Sequence, residues 1–173
     1  MWKILGQEIK FEGWRIRVRQ DRVIAPSGKE TTWDVVMHPG AVAIVARPTP
    51  DEVVLIRQQR YATREELIEL PAGTLEKGEN PLETARRELK EETGYAASCM
   101  ELRATFYTTP GFSDELMYLY EASGLEPGPQ RLEDDEDIQV DVVSVDEALR
   151  MTRDGRIRDA KTLVGLLIVL RPS

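Results

Sequence analysis

Three glutamates in one short charged segment, Glu88, Glu91 and Glu92, have the residue type and spacing to bind a hard cation. Like charges four residues apart destabilise a helix by roughly 0.2–0.5 kcal/mol per pair, so keeping Glu88 and Glu92 together calls for a compensating interaction. Clustered carboxylate oxygens are ligands that Mg²⁺ and Mn²⁺ prefer. The alternative is a solvated acidic helix face, which is the usual role of a charge run.

The helix that would carry these glutamates has clear local boundaries. Asn80 suits the N-cap and Pro81 the first helical position, while Gly94 suits the left-handed position after the last turn. The sequence therefore predicts a helix over residues 81–93. At about 100° per residue, its apolar residues share one stripe, and Glu88 and Glu92 lie on an adjoining face.

Strand patterns surround this helix on both sides. Apolar or alternating runs predict strands near residues 41–47, 52–61, 66–70, 102–108, 115–122 and 138–145, and helices over 144–153 and 159–170. Before residue 38, short strands alternate with turns, and Trp14, Ile16 and Val18 share one predicted strand face. Mixed strands with one helix between them and helices at the end indicate an α+β or mixed-sheet α/β class.

Composition narrows the possible partners. The 173 residues suit one domain with a small extension, and the net charge of −8 argues against non-specific nucleic-acid binding. A phosphorylated small molecule remains compatible, because a bound divalent cation or a few arginines reverse the local field. The single cysteine, Cys99, excludes a disulfide within the chain. With no apolar signal core or membrane-length apolar run, we expect a soluble cytoplasmic protein.

The segment from Gly73 to Tyr95 resembles the Nudix box, a specific motif of defined spacing. Gly73 is followed after five residues by Glu79, and after seven more by Arg87-Glu88-Leu89. Glu91-Glu92 and Gly94 complete the pattern. Its last position, usually aliphatic, is Tyr95, a departure that affects packing more than chemistry.

This resemblance implies a fold, an activity and a set of roles. The fold would be an α/β/α Nudix sandwich of the α+β class, and the activity a metal-dependent hydrolysis of a nucleoside diphosphate linked to another group. The cofactor would be Mg²⁺, with Mn²⁺ or another divalent cation as the alternative. The implied metal ligands are Glu88, Glu92, Glu91 and the Ala72 carbonyl. Arg87 would orient charges beside the catalytic glutamates, and Glu79 would be structural.

The wider chain resembles the ADP-ribose pyrophosphatase branch of the family. The matching segments are HPGAVAIV, LIRQQRY, ELPAG and TTPGFSDE, and Pro110 stands sixteen residues after Gly94, as is typical of that branch. The implied reaction is hydrolysis of ADP-ribose, or a related ADP-sugar, to AMP and ribose 5-phosphate. The alternatives are another nucleoside-diphosphate sugar, such as GDP-mannose, and a non-catalytic ligand-sensing module of the same fold.

Candidate substrate-binding residues follow from the same segments. Arg57 and Arg60 lie three apart on a predicted strand, so their side chains leave on opposite faces. The resemblance favours Arg60 for the pyrophosphate, with Arg57 a second candidate or a surface charge. Glu69 precedes the Pro-Ala-Gly turn and is a candidate contact for the substrate or for a metal-bound water. The resemblance also implies substrate contacts at Pro110 with Gly111.

An acidic run of five carboxylates ends at Asp137, and most of it is expected to provide solubility. The resemblance implies that one glutamate here is the general base. Glu136 is the closest match, and Glu133 is the alternative. His38, the single histidine, and Cys99 belong to no nucleophilic constellation.

The first 37 residues are expected to form a separate element. The resemblance assigns residues 1–37 to a β extension that mediates homodimerisation, and residues 38–173 to the Nudix domain. Trp2, Trp14 and Trp33 are expected to pack in the core, with a dimer interface or an adenine-stacking role as the alternatives.

Overall fold

The computed structural model describes residues 1–14, 16–132 and 136–170. Its contacts divide the chain into two compact units. The first comprises Met1–Gly40 and Tyr107–Leu116, and the second comprises Ala41–Phe106 and Met117–Ser173. The predicted domain division into residues 1–37 and 38–173 stays a prediction.

The first unit is built on an antiparallel sheet of three strands in the order β1-β2-β3. Their bounds are Lys3–Glu12 for β1, Arg17–Ile24 for β2 and Glu30–Met37 for β3. A tight turn joins β2 to β3, where Gly28 has a φ of 84° and donates its N–H to the Ala25 carbonyl. Strand β1 is exposed along its whole length, so this sheet has one long open edge.

Strand β2 begins later than the apolar alternation suggested. Trp14 and Ile16 precede it and are exposed, at 87% and 46%. The buried positions of the strand are Asp21 and Val23. Arg19 lies 2.7 Å from the Asp21 carboxylate, and this ion pair compensates the burial of the acid.

The second unit contains two sheets. One has the order β10-β5-β6 and the other the order β7-β4-β9-β8. The strands are β4 (Ala41–Ala46), β5 (Glu52–Arg60), β6 (Glu65–Glu69), β7 (Ala72–Thr74), β8 (Ala96–Tyr107), β9 (Leu116–Glu126) and β10 (Ile138–Ser144). Strand β4 pairs in parallel with β9 and antiparallel with β7.

The described residues of the second unit include three helices, and each begins at a side-chain cap. They are α1 (Pro81–Thr93), α2 (Val145–Asp154) and α3 (Ala160–Val169), with N-caps Asn80, Ser144 and Asp159. The predicted helix over residues 81–93 is confirmed, including its Asn80 cap and the left-handed Gly94 at its end. No helix in the described part of the chain is long and apolar enough to cross a membrane.

Strand β4 is buried on both faces, and its alternation separates two hydrophobic clusters. Ala43 and Val45 pack in a cluster with Met151 of α2 and Leu166 of α3. Their neighbours on the other face of β4 pack in a second cluster that contains Ala85 and Leu89 of α1. Helix α1 therefore lies on the opposite side of β4 from α2 and α3. This layering confirms the predicted α+β fold with a mixed sheet between helices.

Candidate active site

The charged segment forms a loop, the short strand β7 and helix α1, joined by close contacts. Val42 of β4 pairs with Gly73 of β7. A Cβ atom added at Gly73 would lie 1.9 Å from Cδ of Glu88, a distance at which heavy atoms clash. Glycine at position 73 therefore makes room for the Glu88 carboxyl group between β7 and α1.

Glu92 is held on the same strand by the backbone. Its Oε2 accepts a hydrogen bond of 2.9 Å from the Ala72 N–H, and the residue is 3% exposed. The two glutamates that the sequence placed on one helix face thus both meet β7, Glu88 at Gly73 and Glu92 at Ala72.

Arg87 gathers three carboxylates of this segment. Its guanidinium donates to both oxygens of Glu79 at 3.2 Å, to Glu88 at 2.8 Å and to Glu91 at 3.0 Å. The hydrogen bonds from Arg87 are the main cause that lowers the pKa of Glu79 to about 2. Glu79 also accepts from the Glu76 N–H, so it links the loop to α1.

Burial changes the ionisation of the two buried glutamates. It raises the pKa of Glu88 to about 7, and repulsion from Glu91 and Glu136 adds to a rise that Arg87 opposes. Burial also raises the pKa of Glu92 to about 8, with further repulsion from Glu88 and Glu136. Without a cation, these carboxyl groups therefore retain protons near neutral pH. A divalent cation would stabilise their charged forms.

The donor chemistry fits a hard cation, although the side chains are not assembled around one. Among residues 1–14, 16–132 and 136–170, no three His, Cys, Asp or Glu side chains form a ready metal site. In this arrangement Arg87 bonds Glu88 and Glu91, while Glu92 bonds the Ala72 N–H. Buried carboxylate oxygens beside a glycine cradle still match the ligands that Mg²⁺ and Mn²⁺ take.

Arg60 of β5 lies beside this group and is paired with Glu69 of β6. Its Nε and Nη2 atoms donate to the two Glu69 oxygens at 2.8 and 2.6 Å. Burial alone would raise the pKa of Glu69, yet the pairing with Arg60 and the charge of Lys161 hold it below its usual value. Arg60 also attracts the carboxylate of Glu92, which places it within electrostatic reach of the box helix.

Arg57 has a different partner from Arg60. Its guanidinium forms two hydrogen bonds with Asp141 of β10, at 2.7 and 3.0 Å. The two arginines leave β5 on opposite faces, as their spacing requires. A role for Arg57 in substrate binding stays a prediction.

The acidic run is described only in part. Glu136 exerts electrostatic repulsion on both Glu88 and Glu92, which brings it to the same site. Glu133 lies outside the described residues. Its role as the alternative general base stays a prediction.

Pro110 and Gly111 belong to the first unit. There they line a cavity of about 490 Å³ together with Trp2, Trp33 and Phe112. The rings of Trp2 and Trp33 meet edge to face, with centroids 5.7 Å apart. Trp2 and Trp33 are 49% and 44% exposed, and Trp14 is 87% exposed, so the expected core packing is wrong for all three tryptophans.

His38 and Cys99 show no catalytic arrangement among the described residues. His38 Nδ1 accepts from the Gly40 N–H at 3.1 Å, and its Nε2 lies 3.6 Å from Glu115. Cys99 is exposed. The contacts of His38 are those of a strand-end structural residue.

Lys161 was missed by the sequence reasoning, although it bonds the buried Glu69 carboxylate. It stands in the first turn of α3, where a positive charge opposes the helix dipole. This unfavourable position in the helix is the one feature of the sequence that indicates a compensating contact for Lys161. The partner lies 92 residues away in sequence, so local spacing does not reveal it.

A model of the NUDIX domain matches residues 37–164, which is more than half of the chain, and the chain therefore belongs to the Nudix family. It is 40% identical to the methanol dehydrogenase activator of Bacillus methanolicus, over 95% of this chain and 90% of that protein. It is 39% identical to the ADP-ribose pyrophosphatase of Bacillus subtilis (strain 168), over 92% of this chain and 88% of that protein.

A solved structure of an ADP compounds hydrolase has the same fold. The two chains superpose with a TM-score of 0.87 at 22% identity, over 97% of this chain and 91% of the other. Family membership and the complete box together identify the protein as a Nudix hydrolase.

Proposed function

We propose that this Nudix hydrolase cleaves the pyrophosphate of ADP-ribose, or a related ADP-sugar, to give AMP and ribose 5-phosphate. The observation that carries the proposal is the pair of buried carboxyl groups, Glu88 and Glu92, set against Gly73 and Ala72. The substrate class is supported by the similarity to the B. subtilis ADP-ribose pyrophosphatase along nearly the whole chain.

The proposed cation ligands are Glu88, Glu91, Glu92 and the Ala72 carbonyl. Mg²⁺ is the proposed ion, with Mn²⁺ as the alternative; when bound, it supplies charge neutralisation and a polarised water. Arg87 engages Glu88 and Glu91, so it limits the movement of two of the side chains that would hold the ion.

The remaining steps fall to side chains of the chain itself. Glu136 accepts the proton of the attacking water as it forms a bond to one phosphorus, while the bond from that phosphorus to the bridging oxygen breaks. Arg60 stabilises the charge that develops on the phosphoryl oxygens. Glu69 orients Arg60 through its two hydrogen bonds, and Pro110 with Gly111 are proposed to contact the substrate.

Incubation of the purified protein with ADP-ribose and MgCl₂ tests the proposal, with AMP and ribose 5-phosphate measured by chromatography. We expect both products in equal amounts and none in EDTA. GDP-mannose in a parallel reaction tests the alternative substrate. A higher kcat/KM for GDP-mannose would make that sugar nucleotide the preferred substrate. The absence of turnover with both ADP-ribose and GDP-mannose would reject both substrate assignments.

Regulation of a partner enzyme is a second candidate function, favoured by the 40% identity to a methanol dehydrogenase activator. Addition of the protein to a methanol dehydrogenase assay tests it, with Glu92→Gln as the matched variant. Activation by wild type alone would indicate an effect that requires hydrolysis. Equal activation by both proteins would favour the ligand-sensing alternative.

A homodimer formed through the strands of residues 1–37 is part of the proposal. The open edge of β1 supports it, since an unpaired edge strand is a template for pairing with another chain. Ile4, Ile9 and Phe11 of that strand are 58%, 40% and 54% exposed. The cytoplasm is the proposed location.

A further inference from the structure

Glu69 is a buried carboxylate that contacts two positively charged side chains, although one would suffice to form an ion pair. Its side chain is 1% exposed. Its Oε1 accepts from Arg60 Nε, and its Oε2 accepts from both Arg60 Nη2 and Lys161 Nζ. Lys161 is itself 12% exposed and lies 3.1 Å from Asp159. The four charges form one network between β5, β6 and the first turn of α3.

The same turn of α3 holds the backbone next to Glu69. The Leu70 N–H donates to Thr162 Oγ1 at 2.8 Å, and this hydroxyl donates to Asp159 at 2.6 Å. Asp159 also caps α3 by accepting from the Thr162 N–H. Lys161 thus reaches Glu69 from a support that is fixed by buried hydrogen bonds.

Arg60 differs from Lys161 in having part of its side chain free for another ligand. It is 41% exposed, and its Nε and Nη2 atoms bond Glu69. Among the described residues, its Nη1 atom has no hydrogen-bond partner. A planar guanidinium held along one edge still presents donors along the other, which suits phosphate oxygens.

A carboxylate shared by two cations neutralises each of them less completely than a carboxylate with one partner. With Lys161 present, the negative charge of Glu69 offsets less of the positive potential that Arg60 presents to a ligand. Without Lys161, the whole charge of Glu69 would fall on Arg60, which would also have to compensate a buried anion alone.

We propose that Lys161 is a positioning residue for pyrophosphate binding: by sharing the Glu69 carboxylate, it keeps the outer edge of Arg60 oriented and available for phosphate oxygens. The proposal rests on the proposed hydrolysis of a nucleoside-diphosphate sugar and adds a residue to that site. Lys161 acts through Glu69 and Arg60 and does not itself contact the substrate.

Steady-state kinetics of Lys161→Met with ADP-ribose and saturating MgCl₂ tests this role. We expect KM to rise about tenfold, the scale of one weakened charge-assisted hydrogen bond. We expect kcat to fall by a smaller factor than KM rises, since Arg60 is still present to stabilise the developing charge and the other reacting groups are unchanged. Lys161→Arg restores the charge and should restore most of the KM.

Arg158→Met is the matched control. Arg158 precedes α3 and bonds Glu65 of β6, so it joins the same two segments by an ion pair, but both side chains are about half exposed. Its removal should leave KM unchanged. A similar rise in KM for Arg158→Met would show that any contact between these segments matters, and would overturn the specific role of Lys161.

A second background separates positioning from general structural support. In Glu69→Gln, the shared charge is absent, so adding Lys161→Met should change KM by less than about twofold. An equal rise in both backgrounds would overturn the proposal. If Lys161→Met does not fold, Lys161→Gln in the same two backgrounds gives the same comparison without the positive charge.

Failure of the proposed function is recognised separately. Wild type without turnover of any sugar nucleotide would reject that function. The dissociation constant of ADP-ribose in EDTA, measured by calorimetry for wild type and Lys161→Met, would then still test the effect of Lys161 on binding. Turnover by wild type with an unchanged KM in Lys161→Met would reject the Lys161 proposal alone.

Discussion

Glu92 is the residue in which burial and charge oppose each other most strongly. It is 3% exposed and has a single backbone donor, the Ala72 N–H. Burial raises its pKa to about 8, so it lies near the point at which a proton and a cation compete for the same oxygens. A carboxyl group in this state has a clear use in binding a metal ion and little use as a solvated surface charge.

Substitution of Glu92 or Glu88 by Gln is expected to remove most activity while the fold persists. Each change keeps the shape and deletes one proposed ligand. We expect kcat to fall by at least the roughly 10- to 100-fold that follows the loss of even an outer partner of a metal ligand. Glu76→Gln, an exposed glutamate of the same loop, is the control. Turnover near that of wild type at saturating Mg²⁺ would contradict the ligand assignment.

The raised pKa values also predict how stability depends on pH. Glu88 and Glu92 have folded pKa values of about 7 and 8, above the ordinary value of 4.5. Between these pH values the folded state binds more protons than the unfolded state. The contribution of these two carboxyl groups to the free energy of unfolding is therefore fully present below about pH 4.5 and is lost as pH rises through about 8.

Thermal unfolding in EDTA from about pH 5 to about pH 8 measures this effect. We expect Tm to fall with rising pH, and the slope to be smaller in Glu92→Gln. Added Mg²⁺ should raise Tm more at the higher pH, because the ion replaces protons that are already leaving. An identical slope in wild type and Glu92→Gln would show that Glu92 does not titrate in this range.

At the scale of elements, the sequence was informative wherever the signal was local. Helix α1 was predicted to its ends because Asn80 and Gly94 mark them chemically. Strand β7, only three residues long, carries no periodicity, and the exposed strand β8 begins at Ala96, before its expected start near residue 102. The contact of Lys161 with Glu69 depends on how α3 packs, so neighbouring residues do not encode it.

The spacing between β7 and α1 predicts the effect of Gly73→Ala. The new methyl group would lie 1.9 Å from Cδ of Glu88, so the Glu88 carboxyl group must move away from residue 73. We expect Gly73→Ala to lose most of its Mg²⁺-dependent kcat while its Tm changes little. Thr74→Ala, at an exposed position of the same strand, is the control, and similar activity in the two variants would show that Glu88 tolerates displacement.

At the scale of the whole molecule, a net charge of −8 must be reconciled with an anionic substrate. The second unit does so by local pairing: Arg60 and Lys161 surround Glu69, and Arg87 engages the glutamates of the box. Each cation is held by carboxylates and so is fixed in place. The overall charge therefore argues against non-specific nucleic-acid binding but does not describe the electrostatic field at the site.

The open edge of β1 gives the prediction for the assembled protein. Light scattering after size exclusion should give a mass of about 39 kDa, twice the 19.6 kDa of one chain. The double substitution Ile9→Glu and Phe11→Glu places two charges on exposed apolar positions of β1 and should yield the monomer. Ile168→Glu makes the same type of change at an exposed position of α3 and should leave the dimer intact. A wild-type mass near 20 kDa, or dissociation caused equally by Ile168→Glu, would contradict dimerisation through β1.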